Sequence, residues 1–272
     1  MIIAVLIVAA LLLVWLYMIK PRLRRPAALK ELKKAQYAHR GLHNIQKGIP
    51  ENSLPAFRLA VEQGYGIELD LHLSKDGRLV VEHDDTLRRT CGVDLRIEDT
   101  DWAELQTLRL EGTEERLPLL EEILALVDGK IPLLLEVKVV DGNQAALCAA
   151  LAAAMEGYQG PWCVESFEPR AILWFRRHAP RIPRGQLAGN VRKEGSNVSP
   201  VINFVLKNLL VNVLSRPDFV AYNYLSHRNL SFGLCRLLYR PPLFFWTIRS
   251  EEGHRIAEQY HAAPIFEEPK NS

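Results

Sequence analysis

The chain has 272 residues, 48% of them apolar and 24% charged, enough to bury a sizeable core in one large domain or two small ones. Its formal net charge of +2 is too small to point to a nucleic-acid partner. Cys91, Cys148, Cys163 and Cys235 form no CxxC pair and have no histidine pattern beside them. That excludes a zinc site of the usual spacing and gives no disulfide framework, so the cysteines are read as free, mostly packed thiols.

Ile2 to Ile19 carries no charge. As a helix it spans about 27 Å, close to the roughly 30 Å hydrocarbon thickness of a bilayer. Trp15 and Tyr17 stand near its end, where aromatic side chains favour the interface, and Lys20, Arg22, Arg24 and Arg25 follow at once. A signal peptide would carry its positive charge before the apolar run. Residues 1–19 are therefore expected to be an uncleaved, single-pass anchor in the cell membrane, with the N-terminus outside and the rest of the chain cytoplasmic. Residues 20–35 read as a basic linker, opened by Pro21 and Pro26, with seven Lys or Arg against one acid, Glu31. The linker either orients the helix or also lies on anionic headgroups.

From Gln36 onward, short apolar runs alternate with helical stretches. Strands are expected at Gln36–His39, Gly66–Leu73, Leu79–Glu82, Leu133–Val137, Trp162–Glu165, Gly185–Leu187, Phe219–Ala221 and Phe244–Thr247. Helices are expected at Leu54–Gln63, with Ser53 as N-cap, and at Leu119–Val127, Gln144–Met155 and Arg170–His178. This alternation suits an α/β fold, a TIM-type (β/α)8 barrel over residues 36–272. A doubly wound sheet is the alternative, although no Gly-rich loop follows the first strand. Ser74-Lys75-Asp76-Gly77 is short enough to demand a hairpin; pairing Leu73 with Arg78 would put Glu68 opposite His83. Residues 191–240 read as a variable insertion. Pro200–Leu214 within it is expected to be one helix, packed on the barrel or making a second membrane contact.

In Ile67-Glu68-Leu69-Asp70-Leu71-His72-Leu73, Glu68, Asp70 and His72 share one face of the strand and the aliphatic residues the other. Carboxylates directed into a barrel need a compensating cation, and an all-oxygen ligand set favours a hard divalent ion. The alternative is a half-exposed strand with a solvated acidic face. Leu133–Val139 repeats the pattern: Glu136 is a third candidate ligand and Lys138 suits an anionic substrate, although a plain strand-end salt bridge has the same composition. His39 and His83 each end a strand among charged neighbours, and imidazole suits both the acid and the base of a phosphodiester hydrolysis. Arg40 can hold a phosphate through two parallel hydrogen bonds.

Together, His39-Arg40-Gly41, Pro50-Glu51-Asn52-Ser53, Glu68-Leu69-Asp70, Lys75-Asp76-Gly77, Val80-Val81-Glu82-His83-Asp84 and Leu135-Glu136-Val137-Lys138 resemble the glycerophosphodiester phosphodiesterase family. Pro118-Leu119-Leu120-Glu121-Glu122, Ser166-Phe167 and Trp246-Thr247 extend the likeness, which runs in order from Gln36 to Thr247. The resemblance implies a barrel whose site lies at the C-terminal ends of its strands. It implies hydrolysis of glycerophosphodiesters to glycerol 3-phosphate and an alcohol, with one divalent cation, Mg²⁺ or Ca²⁺. His39 and His83 would be the acid–base pair, and Glu68, Asp70 and Glu136 the metal ligands. Arg40 and Lys138 would hold the phosphate, Phe167 and Trp246 would wall the glycerol side, and Glu51 and Asn52 would support the rest. The family's attack by a neighbouring glycerol hydroxyl, followed by opening of a cyclic phosphate, is implied as well. Competing readings are a lysophospholipase D acting on lysophospholipids beside the anchor, a phospholipase C-like or sphingomyelinase D-like phosphodiesterase, and a catalytically silent membrane-bound scaffold. The family often closes with Thr-Asp-x-Pro, where this chain has Glu267-Glu268-Pro269.

Overall fold

Nine strands organise the computed structural model, which describes residues 1–195 and 197–267. They are β1 (Tyr37–His39), β2 (Gly66–Leu73), β3 (Leu79–Val81), β4 (Leu133–Val137), β5 (Trp162–Ser166), β6 (Arg184–Ala188), β7 (Phe219–Asn223), β8 (Leu243–Ile248) and β9 (Ala263–Phe266). All but β3 pair in parallel, in the order β1-β2-β4-β5-β6-β7-β8-β9, and β9 returns to β1. Tyr37 closes the ring, standing opposite Gly66 on one side and Ile265 on the other. This is the (β/α)8 barrel expected from the alternation of strands and helices. Glu268, Pro269 and the remainder of the expected domain to residue 272 lie outside the described residues.

Two expectations about strands need correction. The eighth barrel strand is Ala263–Phe266, which the sequence reading missed; the strand at 79–82 is the antiparallel arm of the hairpin, as expected, and so does not count among the eight staves. The hairpin register is also one residue off the expected one. Leu73 faces Leu79 and Leu71 faces Val81, because the loop closes with Ser74 N–H on the Arg78 carbonyl and Arg78 N–H on Ser74 Oγ. His83 is therefore not placed opposite Glu68.

Alternation along the strands sorts two sets of side chains. Ile67, Leu69, Leu71, Leu133, Leu135, Val137 and Val164 join a cluster with the surrounding helices, including Phe57, Ile123, Leu147 and Phe175. Tyr37, Leu134, Cys163, Phe219, Phe244 and Ala263 form a second cluster that fills the barrel interior. Gly185 is small for this reason: a Cβ there would lie 2.0 Å from the Phe219 ring. Leu29 and Leu32, from a short helix in the basic segment, join the same cluster, and the Tyr37 hydroxyl donates to the Leu32 carbonyl at 2.8 Å. Arg22, in the same segment, pairs with buried Asp218 at 3.3 Å, and Arg25 donates to the Tyr239 carbonyl at 2.8 Å.

Among the described residues one helix, Ile2–Ile19, is long and apolar enough to cross a membrane. Its last turn is docked. The Trp15 indole N–H donates to Ser231 Oγ at 3.2 Å, and the Tyr239 hydroxyl to the Leu16 carbonyl at 2.9 Å. Asn212 donates to the Ile19 carbonyl, and Arg216 to those of Tyr17 and Lys20, so the helix end is satisfied by protein groups. The stretch expected as one helix from Pro200 to Leu214 is two, Pro200–Lys207 and Asn212–Ser215. Asn208 breaks it: its amide donates to the Phe204 carbonyl, its oxygen accepts from Asn229 and Ser231, and Leu209 takes a left-handed φ of 57°.

Candidate active site

The functional candidates gather at the C-terminal ends of the barrel strands, around a cleft of about 670 Å³. His39, Arg40, Glu68, His83, Glu136, Lys138, Phe167 and Trp246 all line it. Asp70 lies just behind, fully buried, with its Oδ1 3.0 Å from Lys138 Nζ. Strand register accounts for this convergence. His39 stands opposite Glu68, and Asp70 opposite Glu136, so the inward face of three neighbouring strands delivers an imidazole and three carboxylates to one level.

Oxygen atoms of Glu68, Asp70 and Glu136 lie within 4.8 Å of one another, and all three residues are buried. Burial, reinforced by Asp70, Glu136 and Glu165, pushes the Glu68 carboxyl well above its ordinary range. Glu136 is raised by burial as well, although Lys138, 2.9 Å away, opposes this. Burial would raise Asp70 too, but Lys138, His83 and Arg40 outweigh it and hold this carboxyl well below the usual range. Lys138, shared between Asp70 and Glu136, and Arg40, 3.5 Å from Asp70, are two positive charges against these three carboxylates and Glu165. Mutual repulsion, an all-oxygen donor set and dense burial fit a hard divalent cation.

Both histidines are locked in the same way. His39 Nδ1 meets Glu267 Oε1 at 2.7 Å, and Arg249 holds that carboxylate through two hydrogen bonds of 2.7 and 2.9 Å. His83 Nδ1 meets Asp84 Oδ1 at 2.6 Å, and Arg89 binds Asp84 at 2.7 Å. A carboxylate on Nδ1 favours the tautomer with its proton there, leaving Nε2 with the free lone pair. Burial, with Arg40 beside it, pushes the His39 imidazole down to about 4, so it is neutral at pH 7. Arg40 N–H donates to Glu68, its guanidinium donates to Glu51 at 2.8 Å, and its Nε lies 3.5 Å from Asp70. Arg89 also binds Glu51 at 2.7 Å, and Asn52 donates to Asp70 Oδ2 at 2.9 Å. Against the cost of burial, the two arginines bring the Glu51 carboxyl down to about 2. Glu51 and Asn52 thus sit behind the cleft wall and brace Arg40 and Asp70.

The loop carrying these groups is tightly specified. Arg40 and Asn52 adopt left-handed φ values of 57° and 51°, and Gly41 follows at 80°. A Cβ on Gly41 would lie 2.8 Å from the Ala56 carbonyl carbon, so only glycine lets this turn rest on the capped helix Leu54–Glu62. Ser53 caps that helix, as expected, accepting from Ala56 N–H.

Sequence reading missed several groups of the site. Glu165 stands opposite Glu136, buried, with Oε2 unpartnered, and burial with Glu136 and Asp70 nearby raises it well above its usual range. Its signal was present: a carboxylate is the penultimate residue of β5 as one is of β4. Glu267 was noted only as a departure from a family pattern, and Arg249 not at all. Phe167 and Trp246 meet edge to face at 5.4 Å and form an apolar wall continued by Leu187, Val191, Val198 and Leu206. His72, on the same strand face as Glu68 and Asp70, does not join them; its Nδ1 pairs with Glu98 at 2.6 Å.

The family model described as the glycerophosphoryl diester phosphodiesterase family matches residues 39–267. A glycerophosphodiester phosphodiesterase of Caldanaerobacter subterraneus is 40% identical over 100 residues, 34% of this chain and 40% of that protein. A rat protein, lysophospholipase D GDPD1, is 35% identical over 116 residues, 37% of each chain. The chain therefore spans about two fifths of the length of these curated relatives. Among solved structures, a phosphodiesterase of Oleispira antarctica in complex with the product sn-glycerol-3-phosphate superposes with a TM-score of 0.71 at 23% identity. That match covers 88% of this chain and 94% of the other. A glycerophosphodiester phosphodiesterase of Thermotoga maritima gives 0.65 at 24% identity over 87% and 94%.

Proposed function

The chain belongs to the glycerophosphoryl diester phosphodiesterase family, and from that premise we propose that it hydrolyses glycerophosphodiesters to glycerol 3-phosphate and an alcohol. One observation carries the reading: three buried carboxylates and two carboxylate-locked histidines gather at a single cleft. The glycerol 3-phosphate in the Oleispira antarctica phosphodiesterase is consistent with it.

Glu68, Asp70 and Glu136 hold a divalent cation, Mg²⁺ or Ca²⁺. When bound, such an ion neutralises charge on the phosphoryl oxygens and eases ionisation of a nearby hydroxyl. Arg40 and Lys138 position the phosphate, and Phe167 and Trp246 pack on the glycerol. His39, neutral at pH 7, takes the proton of the attacking glycerol hydroxyl on Nε2. That oxygen bonds to phosphorus as the bond to the leaving oxygen breaks, and His83 gives the leaving alcohol its proton. Water then opens the cyclic phosphate, giving its proton to His83 while His39 returns one to the glycerol oxygen. Both histidines end in their starting states.

A second reading concerns the source of the substrate. The helix Ile2–Ile19 serves as an uncleaved anchor, followed by the linker 20–35 and the barrel domain from residue 36, on the cytoplasmic side of the cell membrane. Its docked last turn favours a permanent element of the protein over a cleaved leader. An enzyme held there meets lysophospholipids in the adjacent leaflet, and the partial match to a lysophospholipase D supports that substrate class.

The test uses the full chain in detergent, stripped of metal. Glycerol 3-phosphate release from glycerophosphocholine and glycerophosphoethanolamine should need Mg²⁺ or Ca²⁺ and should be lost in His39→Ala. Metal-independent release, or an active His39→Ala, would overturn the mechanism. Absence of release from every glycerophosphodiester and lysophospholipid would overturn the activity.

A further inference from the structure

The cleft and the apolar helix meet at one end of the barrel. The helix Leu230–Tyr239 follows β7, so its first turn lies at the strand C-terminal end, where the cleft opens. Trp15 bonds Ser231 in that first turn, while Ile19 meets Cys235, one turn further along. The two helices therefore run in the same direction. Everything in the N-terminal helix before Trp15 is exposed and leaves the domain on the side of the cleft.

That same rim carries large exposed apolar side chains. Val201 is 72% exposed, Ile202 52% and Phe204 60%, on the helix whose buried Leu206, one turn after Ile202, lines the cleft wall. Leu225, in the turn after β7, is 53% exposed and Leu230 66%. A single polar junction ties these parts together: Asn208, at the end of the rim helix, accepts from Asn229 and Ser231, and Ser231 also accepts from Trp15. Exposed Arg192, Lys193 and Arg228 flank the apolar residues. Tryptophan favours the headgroup layer. If Trp15 sits there, the rim residues joined to it sit at the same depth.

We propose that this rim is a bilayer-docking surface: Val201, Ile202, Phe204, Leu225 and Leu230 insert into the leaflet that the N-terminal helix enters. The basic residues meet anionic headgroups, and the cleft opens directly onto lipid. The occupant is the membrane itself, argued from continuity with the anchor helix and from charge complementarity. The proposal rests on the anchored reading above and deepens it, since a lysophospholipid would pass from leaflet to cleft without crossing water.

The experiment uses the full chain in nanodiscs of phosphatidylcholine and phosphatidylglycerol, in a Cys91→Ser background. A polarity-sensitive fluorophore is placed at Phe204→Cys or, as a control at the far end of the helix after β7, at the 68% exposed Leu237 as Leu237→Cys. Lipids carrying a nitroxide near the headgroup should quench the first label several-fold more than the second. Equal access of both labels to aqueous iodide would overturn the proposal. So would protection at position 204 that depends on protein concentration and not on lipid, which would mean a second copy of the chain. In a second arm, Val201→Ser/Ile202→Ser/Phe204→Ser should leave release from glycerophosphocholine unchanged and lower release from vesicle-borne lysophosphatidylcholine about tenfold. An unmoved ratio would overturn the docking. Because quenching needs no catalysis, inactivity on every substrate would sink the enzymatic reading while leaving the docking result standing.

Discussion

The two arcs of the barrel use one inward register for opposite purposes. β1, β2 and β4 direct His39, Glu68, Asp70 and Glu136 inward, whereas β6 to β9 direct Leu187, Phe219, Phe244, Trp246 and Ile265. The apolar arc stabilises the fold by burial, while the charged arc gathers like charges that oppose it. Chemistry on this barrel therefore costs stability on one side that the other must offset. Each arc also supplies one histidine lock. His83, Asp84 and Arg89 are close in sequence, while His39 depends on Glu267 and Arg249 from across the ring closure.

The largest effect should come from Glu136→Gln. Losing one of the three proposed ligands should lower kcat at subsaturating metal about a thousandfold, on the order of 4 kcal/mol in the barrier. Metal-free stability should hold or rise, because a buried like charge is removed while Lys138 keeps Asp70 at 3.0 Å. Steady-state kinetics with a metal titration, beside urea denaturation without metal, separates the two. A variant that loses activity through unfolding would contradict the comparison.

Glu267→Gln probes the support that the apolar arc lends. It should cost about 10–100-fold in kcat/KM, as for other groups that orient a working imidazole. Glu267 raises the His39 pKa by its hydrogen bond and its charge, against burial and Arg40, which together leave it at about 4. Removing that charge should move the acid limb of the pH–rate profile to lower pH while the plateau falls. A lower plateau with an unmoved limb would mean that Glu267 acts only on folding.

The charged arc was legible in the sequence for a physical reason. Charge at every second position of an otherwise aliphatic strand is rare, so Glu68, Asp70 and Glu136 announced their shared face before any contact was known. The apolar arc gave no such contrast. Ala263–Phe266 is four residues long, contains Pro264 and follows a helix within three residues, so it carried little alternation to detect. Glu267 was missed as a partner because its link to His39 exists only once the ring closes. The hairpin register slipped because Ser74 extends the loop with its own hydroxyl, a choice that composition does not reveal. The helix break at Asn208 was hidden because the donors to its side-chain oxygen come from residues about twenty positions away.

The smallest effect tests the cost of buried charge on the hairpin arm that carries His83 to the charged arc. Glu82 is 1% exposed and sits under the His83 loop, accepting the backbone N–H groups of His83 and Asp84 at 2.9 and 3.2 Å. Burial, only partly opposed by those bonds, raises its carboxyl to about 7. An acid whose folded pKa lies above its unfolded value binds more protons when folded. Its contribution is therefore fully present below about 4.5 and is lost as pH rises through about 7. Glu82→Gln mimics the protonated form at every pH. Linkage sets an upper bound of about 3 kcal/mol for its advantage at pH 8. The new amide N–H groups need acceptors in the same buried place, which reduces the gain to about 1–2 kcal/mol. Urea denaturation of the full chain in detergent should show the variant ahead at pH 8 and level or behind at pH 4. If Glu82→Gln is instead less stable at pH 8, the ionised carboxylate strengthens the His83 loop, and buried charge beside the charged arc is not a cost to the fold.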